Sequence, residues 1–240
     1  VAGLAAFCAV KLIFFVVRKM EEGQIESGFR HGQTVTACLV ALSHGTNDAQ
    51  KTMGIITLTL IAVGFQPSGS GPELWVVAIC GLAIALGTYM GGWRVIRTLG
   101  KGLTEISTPQ GFAAEAASAT TILVSSHMGF ALSTTQVCSG SIIGSGLGKK
   151  GSKVNWGVAG KMVIAWLVTF PAAGIVGALA CALAKTGLWG TVAVAFIACA
   201  VAFIIWRMSR RNPINSANVN ERADVKVNAN PNAKTVAAAA

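Results

Sequence analysis

A polar segment interrupts a long apolar run near residue 50. The segment SHGTNDAQKTMG, residues 43–54, follows TVTACLVAL and precedes IITLTLIAVG, which are both almost wholly apolar. Its candidate binding residues are Asn47, Asp48, Gln50 and Lys51. A charged side chain at the centre of a bilayer costs about 2.5–3.5 kcal/mol, so such residues usually face a cavity and bind something. The alternatives are a packed polar kink and a patch that pairs two helices.

A second polar segment places three hydroxyls in a row at the predicted start of a helix. In ALSTTQVCSGSIIGSG, residues 131–146, these are Ser133, Thr134 and Thr135. Hydroxyls and free backbone N–H groups at a helix start suit an oxyanion such as phosphate. The same hydroxyls can supply neutral oxygens to a small cation, or bond to the backbone inside a membrane helix.

The third candidate is Glu115, which lies three residues beyond Phe112 in an apolar segment. An acid inside a membrane segment is a functional candidate by default. Its alternative is a charge at a helix start, at the level of the lipid headgroups. His44 and His127 can carry protons near neutral pH, although each also suits a hydrogen-bonding position at a helix end.

The composition indicates a membrane protein. Of the 240 residues, 53% are apolar and only 12% are charged, whereas soluble domains carry about 25% charged residues. The net charge of +10 sits in short clusters between apolar segments, as loop charges do, which argues against a nucleic-acid partner. The six cysteines form no C-x-x-C pair, and their apolar surroundings are typical of small packing residues rather than of a metal site. We find no nucleophile–base pair or nucleotide loop in the sequence, so we expect a protein that is not an enzyme.

The apolar segments predict an all-α, polytopic membrane helical bundle over residues 1–207, followed by a disordered polar tail over 208–240. The crossing at 34–64 would be a helix broken at its polar segment. Basic clusters mark the cytoplasmic side, which puts both ends of 111–147 inside. Two half-length helices joined by SHMGFAL would then form a re-entrant hairpin; the alternative is two tilted full crossings. Further helical spans are predicted at 1–17, 74–93, 156–184 and 188–206.

These segments resemble the PiT family of inorganic phosphate transporters. SHGTNDAQKTMG is similar to the family's second-half signature, in which G-[AS]-N-D recurs, and its H-G-x-N-D-x-Q-K form resembles the bacterial low-affinity branch, usually described as proton-coupled. GFAAEAASATTILVSSHMGFALSTTQVCSG resembles the stretch that ends in P-V-S-T-T-H, and NWGVAGKMVIAWLVTFPAAGIVGALA resembles a late span. Ala131 and Gln136 depart from the common Pro and His. Gln136 removes a candidate proton carrier, and Ala131 leaves the opening of the helix to Gly129.

The resemblance implies a secondary transporter that moves inorganic phosphate across the plasma membrane. It would be a multi-pass protein surrounded by lipid, with H⁺ or Na⁺ as the coupling ion and neither a cofactor nor a resident metal. Asn47 and Asp48 would bind substrate or coupling cation, and Ser133, Thr134 and Thr135 would complete that half of the site. Because a lone ionised Asp48 repels a phosphate dianion, we expect a proton, Na⁺ or a divalent metal–phosphate ion pair to enter with it.

The family is built from two inverted halves, and each motif occurs once in this sequence. We therefore expect a C-terminal half whose site is completed by the missing N-terminal repeat or by a second copy in a homo-oligomer; the absence of an initial Met fits this.

Two other functions stay open. One is transport of another oxyanion, such as sulfate, and the other is a membrane assembly subunit that transports nothing.

Overall fold

The computed structural model describes residues 1–89 and 92–210, and the regular elements within these ranges are helices. The predicted all-α fold is confirmed. The predicted tail over 208–240 lies outside the described residues from 211 onward. A 3₁₀ turn, Val17–Lys19, follows α1, and a π turn, Thr98–Gly102, follows α4. The α-helices are α1 Ala2–Val16, α2 Glu22–Ala62, α3 Leu74–Tyr89, α4 Trp93–Arg97, α5 Thr108–His127, α6 Thr134–Gly148, α7 Trp156–Ala184 and α8 Leu188–Ser209.

Four helices form the packed centre, in which α2 lies along α5, α1 lies along α6, and α5 and α6 lie side by side. Small residues let α1 and α6 approach closely. A Cβ added at Gly3 would come within 2.8 Å of the Gly140 carbonyl oxygen, and one added at Gly144 would overlap the Gly3 carbonyl. Close backbone contact of this kind is common between membrane helices, where small residues make the interface.

The helix α5 begins with a reciprocal cap. Ser107 and Gln110 form a capping box around Pro109 in the first turn, which satisfies backbone N–H groups that a helix start leaves free. Gln110 is fully buried, and its Nε2 donates to the Ser145 carbonyl oxygen at 3.1 Å. This bond joins the beginning of α5 to the last turn of α6.

The two helices α5 and α6 are therefore an antiparallel hairpin. Their connection turns at Gly129, whose φ is +81°, in the left-handed region that favours glycine. The Ser125 hydroxyl donates to the Phe130 carbonyl oxygen at 2.9 Å, which holds the turn against the end of α5. The structure thus has a helical hairpin within the predicted 111–147. That it enters and leaves the membrane on one face stays a prediction.

The helix α2 is unbroken, so the prediction of a broken helix over 34–64 is wrong. It runs for 41 residues from Glu22 to Ala62, and Gly45 and Gly54 are not among the glycines with positive φ. Residues three or four positions apart share one face of a helix. The polar side chains of the motif therefore find partners on a neighbouring element without opening the α2 backbone.

The remaining long helices are α3, α7 and α8. Helix α3 packs on α2, and the main contact of α7 and α8 is with each other. Helices α7 and α8 have the length and apolar composition needed to cross a membrane, while α3 is apolar but shorter. The start of α7 is fixed to the segment before α5, because the Asn155 N–H donates to the Leu103 carbonyl oxygen at 2.8 Å.

Candidate functional site

The polar face of α2 meets the hairpin turn at Asn47. This side chain is 3% exposed, and its Nδ2 donates at 3.0 Å to both the Leu132 carbonyl oxygen and Asp48 Oδ1. Its Oδ1 accepts a hydrogen bond of 3.3 Å from the Ser126 hydroxyl. Asn47 therefore ties α2 to the last turn of α5 and to the segment that leads into α6.

Asp48 is surrounded by donors. Lys51 Nζ donates to Asp48 Oδ1 at 3.1 Å, and the Thr134 hydroxyl donates to Oδ2 at 3.4 Å. His44 Nε2 lies 3.5 Å from Oδ2, one helical turn earlier on α2. The ammonium of Lys51 therefore already lies against the Asp48 carboxylate.

Lys51 makes a second contact that joins α2 to the turn. Its Nζ donates to the Leu132 carbonyl oxygen at 2.6 Å, and this carbonyl lies in the non-helical segment between α5 and α6. The side chains of Lys51 and Asp48 remain 37% and 34% exposed, so the pair is open on one side. We call Asn47, Asp48, Lys51, Ser126, Thr134 and the Leu132 carbonyl the Asp48 cluster.

The three hydroxyls at the start of α6 have different places. Thr134 is buried and belongs to the Asp48 cluster. The Ser133 hydroxyl caps α6 by accepting a bond of 3.4 Å from the Gln136 N–H. Thr135 and Ser133 are exposed. The first turn of α6 leaves backbone N–H groups without helical partners and carries a partial positive charge, which makes the exposed side of this turn attractive to an anion.

Two other predicted site residues lie outside the cluster. Gln50 is exposed on α2, and within the described part of the chain its side chain has no hydrogen bond to the cluster. Glu115, on α5, accepts a bond of 2.6 Å from the Thr36 hydroxyl. Thr36 precedes Asp48 by twelve residues on α2, which corresponds to about 18 Å along the helix. Glu115 therefore makes a separate polar contact between α2 and α5.

Two members of the Asp48 cluster are not among the predicted residues. Ser126 is the first residue of the SHMGFAL segment and lies in the last turn of α5. A hydroxyl side chain directly before the predicted interruption of the helix is the signal that could have identified it as a site residue. The Leu132 carbonyl belongs to the backbone, so no residue type announces it. Among residues 1–89 and 92–210, no three His, Cys, Asp or Glu side chains form a group that could hold a metal ion.

Comparison with known proteins places this arrangement in a family. Residues 4–177 match the family described as "Phosphate transporter family". The chain belongs to this family. The resemblance found in the two polar motifs is confirmed, and membership in this transporter family together with two apolar helices of membrane-crossing length makes the chain a membrane protein.

Several relatives in the family are similar over most of the chain. A "Probable low-affinity inorganic phosphate transporter" from Mycobacterium tuberculosis is 54% identical over 212 residues, which are 87% of this chain and 51% of the relative. A protein of the same description from Bacillus subtilis is 39% identical over 180 residues, covering 75% of this chain and 53% of the relative. The chain spans about half the length of the curated relatives it matches.

A solved structure shares the fold. It is titled "The sodium-dependent phosphate transporter", and it is 30% identical with a TM-score of 0.56. The match covers 65% of this chain and 41% of that one. The helical packing of the matched part of this chain is thus similar to packing found in that solved structure.

Proposed function

We propose that this chain supplies half of a secondary transporter that carries inorganic phosphate across the plasma membrane by symport with a cation, H⁺ or Na⁺. The observation that carries the proposal is the Asp48 cluster, in which Asn47, Asp48 and Lys51 of α2 are bonded to the turn that begins α6. The relatives described as inorganic phosphate transporters support the choice of substrate. The protein crosses the membrane several times and catalyses no chemical step.

The chemistry of the cluster suits an oxyanion that enters together with a cation. Hydroxyls, an amide, the Lys51 ammonium and the N–H groups of the first turn of α6 all favour an anion. The carboxylate of Asp48 repels an anion, and the Lys51 ammonium offsets this single negative charge. A phosphate dianion brings further negative charge, so its entry is favoured when a cation accompanies it.

The proposed site has a second half. In transporters with inverted repeats, substrate and coupling ions bind near the bilayer midplane between the repeats. The Asp48 cluster is one third exposed at its two charged side chains, which leaves room for facing groups. We propose that these come from an N-terminal repeat of the same kind or from a second copy of the chain.

Uptake of radiolabelled phosphate by cells that lack their own phosphate carriers tests the proposal. We would compare this chain alone with the same chain joined to an N-terminal repeat, and in each case wild type with Asp48→Asn. We expect uptake by the two-repeat form, and we expect Asp48→Asn to abolish or uncouple it while the protein still reaches the membrane. Excess unlabelled sulfate should leave the uptake unchanged. Normal coupled uptake by Asp48→Asn would contradict the proposed role of the cluster.

A further inference from the structure

We propose that a basic pocket, at the end of the hairpin where α5 begins and α6 ends, binds the headgroup of an anionic phospholipid. This cavity of about 600 Å³, which we call the Lys149 pocket, has a polar lining of Arg18, Glu26, Ser107, Thr108 and Lys149. The Asp48 cluster lies at the opposite end of α6, about 20 Å away along the helix. The inference therefore does not depend on the proposed transport site.

The surroundings of Lys149 favour an anionic ligand. This residue is half-buried, and its Nζ donates to the Ser107 hydroxyl at 3.4 Å and lies 5.6 Å from the centre of the Phe14 ring. Within residues 1–89 and 92–210, no carboxylate lies within ion-pair distance of this ammonium. Because a partly buried charge is costly without a counter-charge, the ammonium favours a ligand that brings a negative group into the pocket.

Close packing holds Lys149 in place. A Cβ added at the preceding residue, Gly148, would come within 2.9 Å of the Val10 side chain, so the last turn of α6 lies against α1. The Ser107 hydroxyl that accepts from Lys149 belongs to the capping box of α5, and Gln110 of the same box donates to a carbonyl oxygen of α6. The pocket is therefore formed without a ligand, and two helices position its ammonium.

Positive charge extends beyond the pocket. A neighbouring cavity of about 650 Å³ shares Ser107 and Lys149 with it. The first turn of α5, which lies between the two, adds the partial positive charge of a helix start. Together the cavities are lined by four basic and two acidic side chains, which are Arg18, Lys149, Lys150, Lys153, Glu26 and Glu105. A headgroup that carries a phosphate would meet an excess of positive charge here.

The apolar part of the lining favours a lipid over a free anion. It consists of Phe14, Val17, Met20, Ile25 and Ile106. Phe15 and Val16, beside the pocket on α1, are 65% and 64% exposed, so the apolar surface continues outward from the pocket and can contact acyl chains. The basic residues belong to clusters that predict the cytoplasmic face. The cytoplasmic leaflet carries anionic lipids, and basic pockets between membrane helices on that side bind their headgroups.

Binding of short-chain lipids to the purified chain in detergent tests the proposal. Dioctanoyl phosphatidylglycerol is the anionic probe, and dioctanoyl phosphatidylcholine has the same acyl chains without a net charge. Each basic side chain near an anionic lipid surface contributes about fivefold in affinity. We therefore expect wild type to bind phosphatidylglycerol about thirtyfold more tightly than phosphatidylcholine, since two basic side chains line the pocket. Inorganic phosphate, added at constant ionic strength, should not displace the lipid.

Three variants locate the binding. The double variant Arg18→Gln/Lys149→Gln should bind phosphatidylglycerol about thirtyfold more weakly than wild type. Its matched control is Lys161→Gln/Lys185→Gln, which removes the same charge from exposed positions that line neither cavity and should bind as wild type does. Glu26→Gln removes the acidic side chain of the pocket and keeps both basic ones, so it should bind severalfold more tightly.

Several results would overturn the inference. Equal affinity of wild type for the two lipids would show that the headgroup charge is not recognised. Displacement of phosphatidylglycerol by inorganic phosphate would show that the pocket holds the free anion instead. An equal loss of affinity in the double variant and its control would assign the binding to general surface charge. If the double variant does not unfold cooperatively, Glu26→Gln decides, and binding no tighter than that of wild type would refute the assignment.

Discussion

Asn47→Asp is the sharpest perturbation of the contact between α2 and the hairpin. The two side chains have nearly the same size, so the packing around this buried position is kept. The amide nitrogen that donates to Asp48 Oδ1 and to the Leu132 carbonyl, at 3.0 Å each, becomes a carboxylate oxygen. Two donors are lost, and a second negative charge lies against Asp48.

The size of the effect follows from these contacts. Two lost hydrogen bonds cost about 1 kcal/mol each. Two unit charges 4 Å apart repel by about 4 kcal/mol at an effective dielectric constant near 20, and the Lys51 ammonium offsets part of this. We expect a net loss of about 2–4 kcal/mol in the free energy of unfolding, which lowers the Tm by about 5–15 °C in a protein of this size.

Thermal unfolding in detergent and phosphate uptake measure the outcome for Asn47→Asp, Asn47→Ala and Gln50→Glu. Asn47→Ala loses the hydrogen bonds without the repulsion, so its Tm should fall by less. Gln50→Glu adds the same charge at an exposed position of α2 and should behave as wild type. An Asn47→Asp protein as stable as Asn47→Ala, or more stable, would refute the electrostatic part of this reasoning.

Three further changes test other contacts of the fold. Thr36→Val removes the hydroxyl that donates to Glu115 at 2.6 Å and should cost about 1–3 kcal/mol, measured as a fall in Tm that Thr36→Ser restores. Gly144→Leu would force a side chain into the Gly3 backbone; overpacking costs about 1–3 kcal/mol or more, and less protein should reach the membrane. Gln110→Ala removes both a capping partner and the bond to α6; we expect faster proteolysis at the beginning of α5, and an unchanged cleavage pattern would contradict this.

The sequence predicts a helix best where a single feature of the segment determines where the helix begins and ends. Helix α7 begins and ends at the predicted residues 156 and 184, because an apolar run bounded by Asn155 and Lys185 has few other arrangements. The hairpin is also predictable, since Gly129 and its neighbours interrupt an apolar stretch whose two ends carry polar residues. In both cases the signal lies within the segment itself, and tertiary packing does not change the structure that it indicates.

The site is less predictable, because its contacts join distant parts of the chain. The polar run around Asp48 indicates a broken helix when its partners are unknown, yet Leu132 and Thr134 lie more than eighty residues away and satisfy it without a break. Glu115 shows the same limit, since nothing in its own segment indicates Thr36 as its partner. The residue types of the cluster can be predicted, whereas the direction in which Lys51 points requires the fold.

Because α2 is long, a small tilt of this helix displaces its far end by a measurable distance. At 1.5 Å per residue its 41 residues extend for about 60 Å, whereas the hydrocarbon core of a bilayer is about 30 Å thick. Gln24, near the beginning of α2, lies about 35 Å along the axis from Asn47. If the helix pivots rigidly at the hairpin contact, a tilt of about 5° displaces Gln24 by about 3 Å. A small tilt at the Asp48 cluster therefore produces a displacement at the beginning of α2 that a spin label or fluorophore attached there would detect.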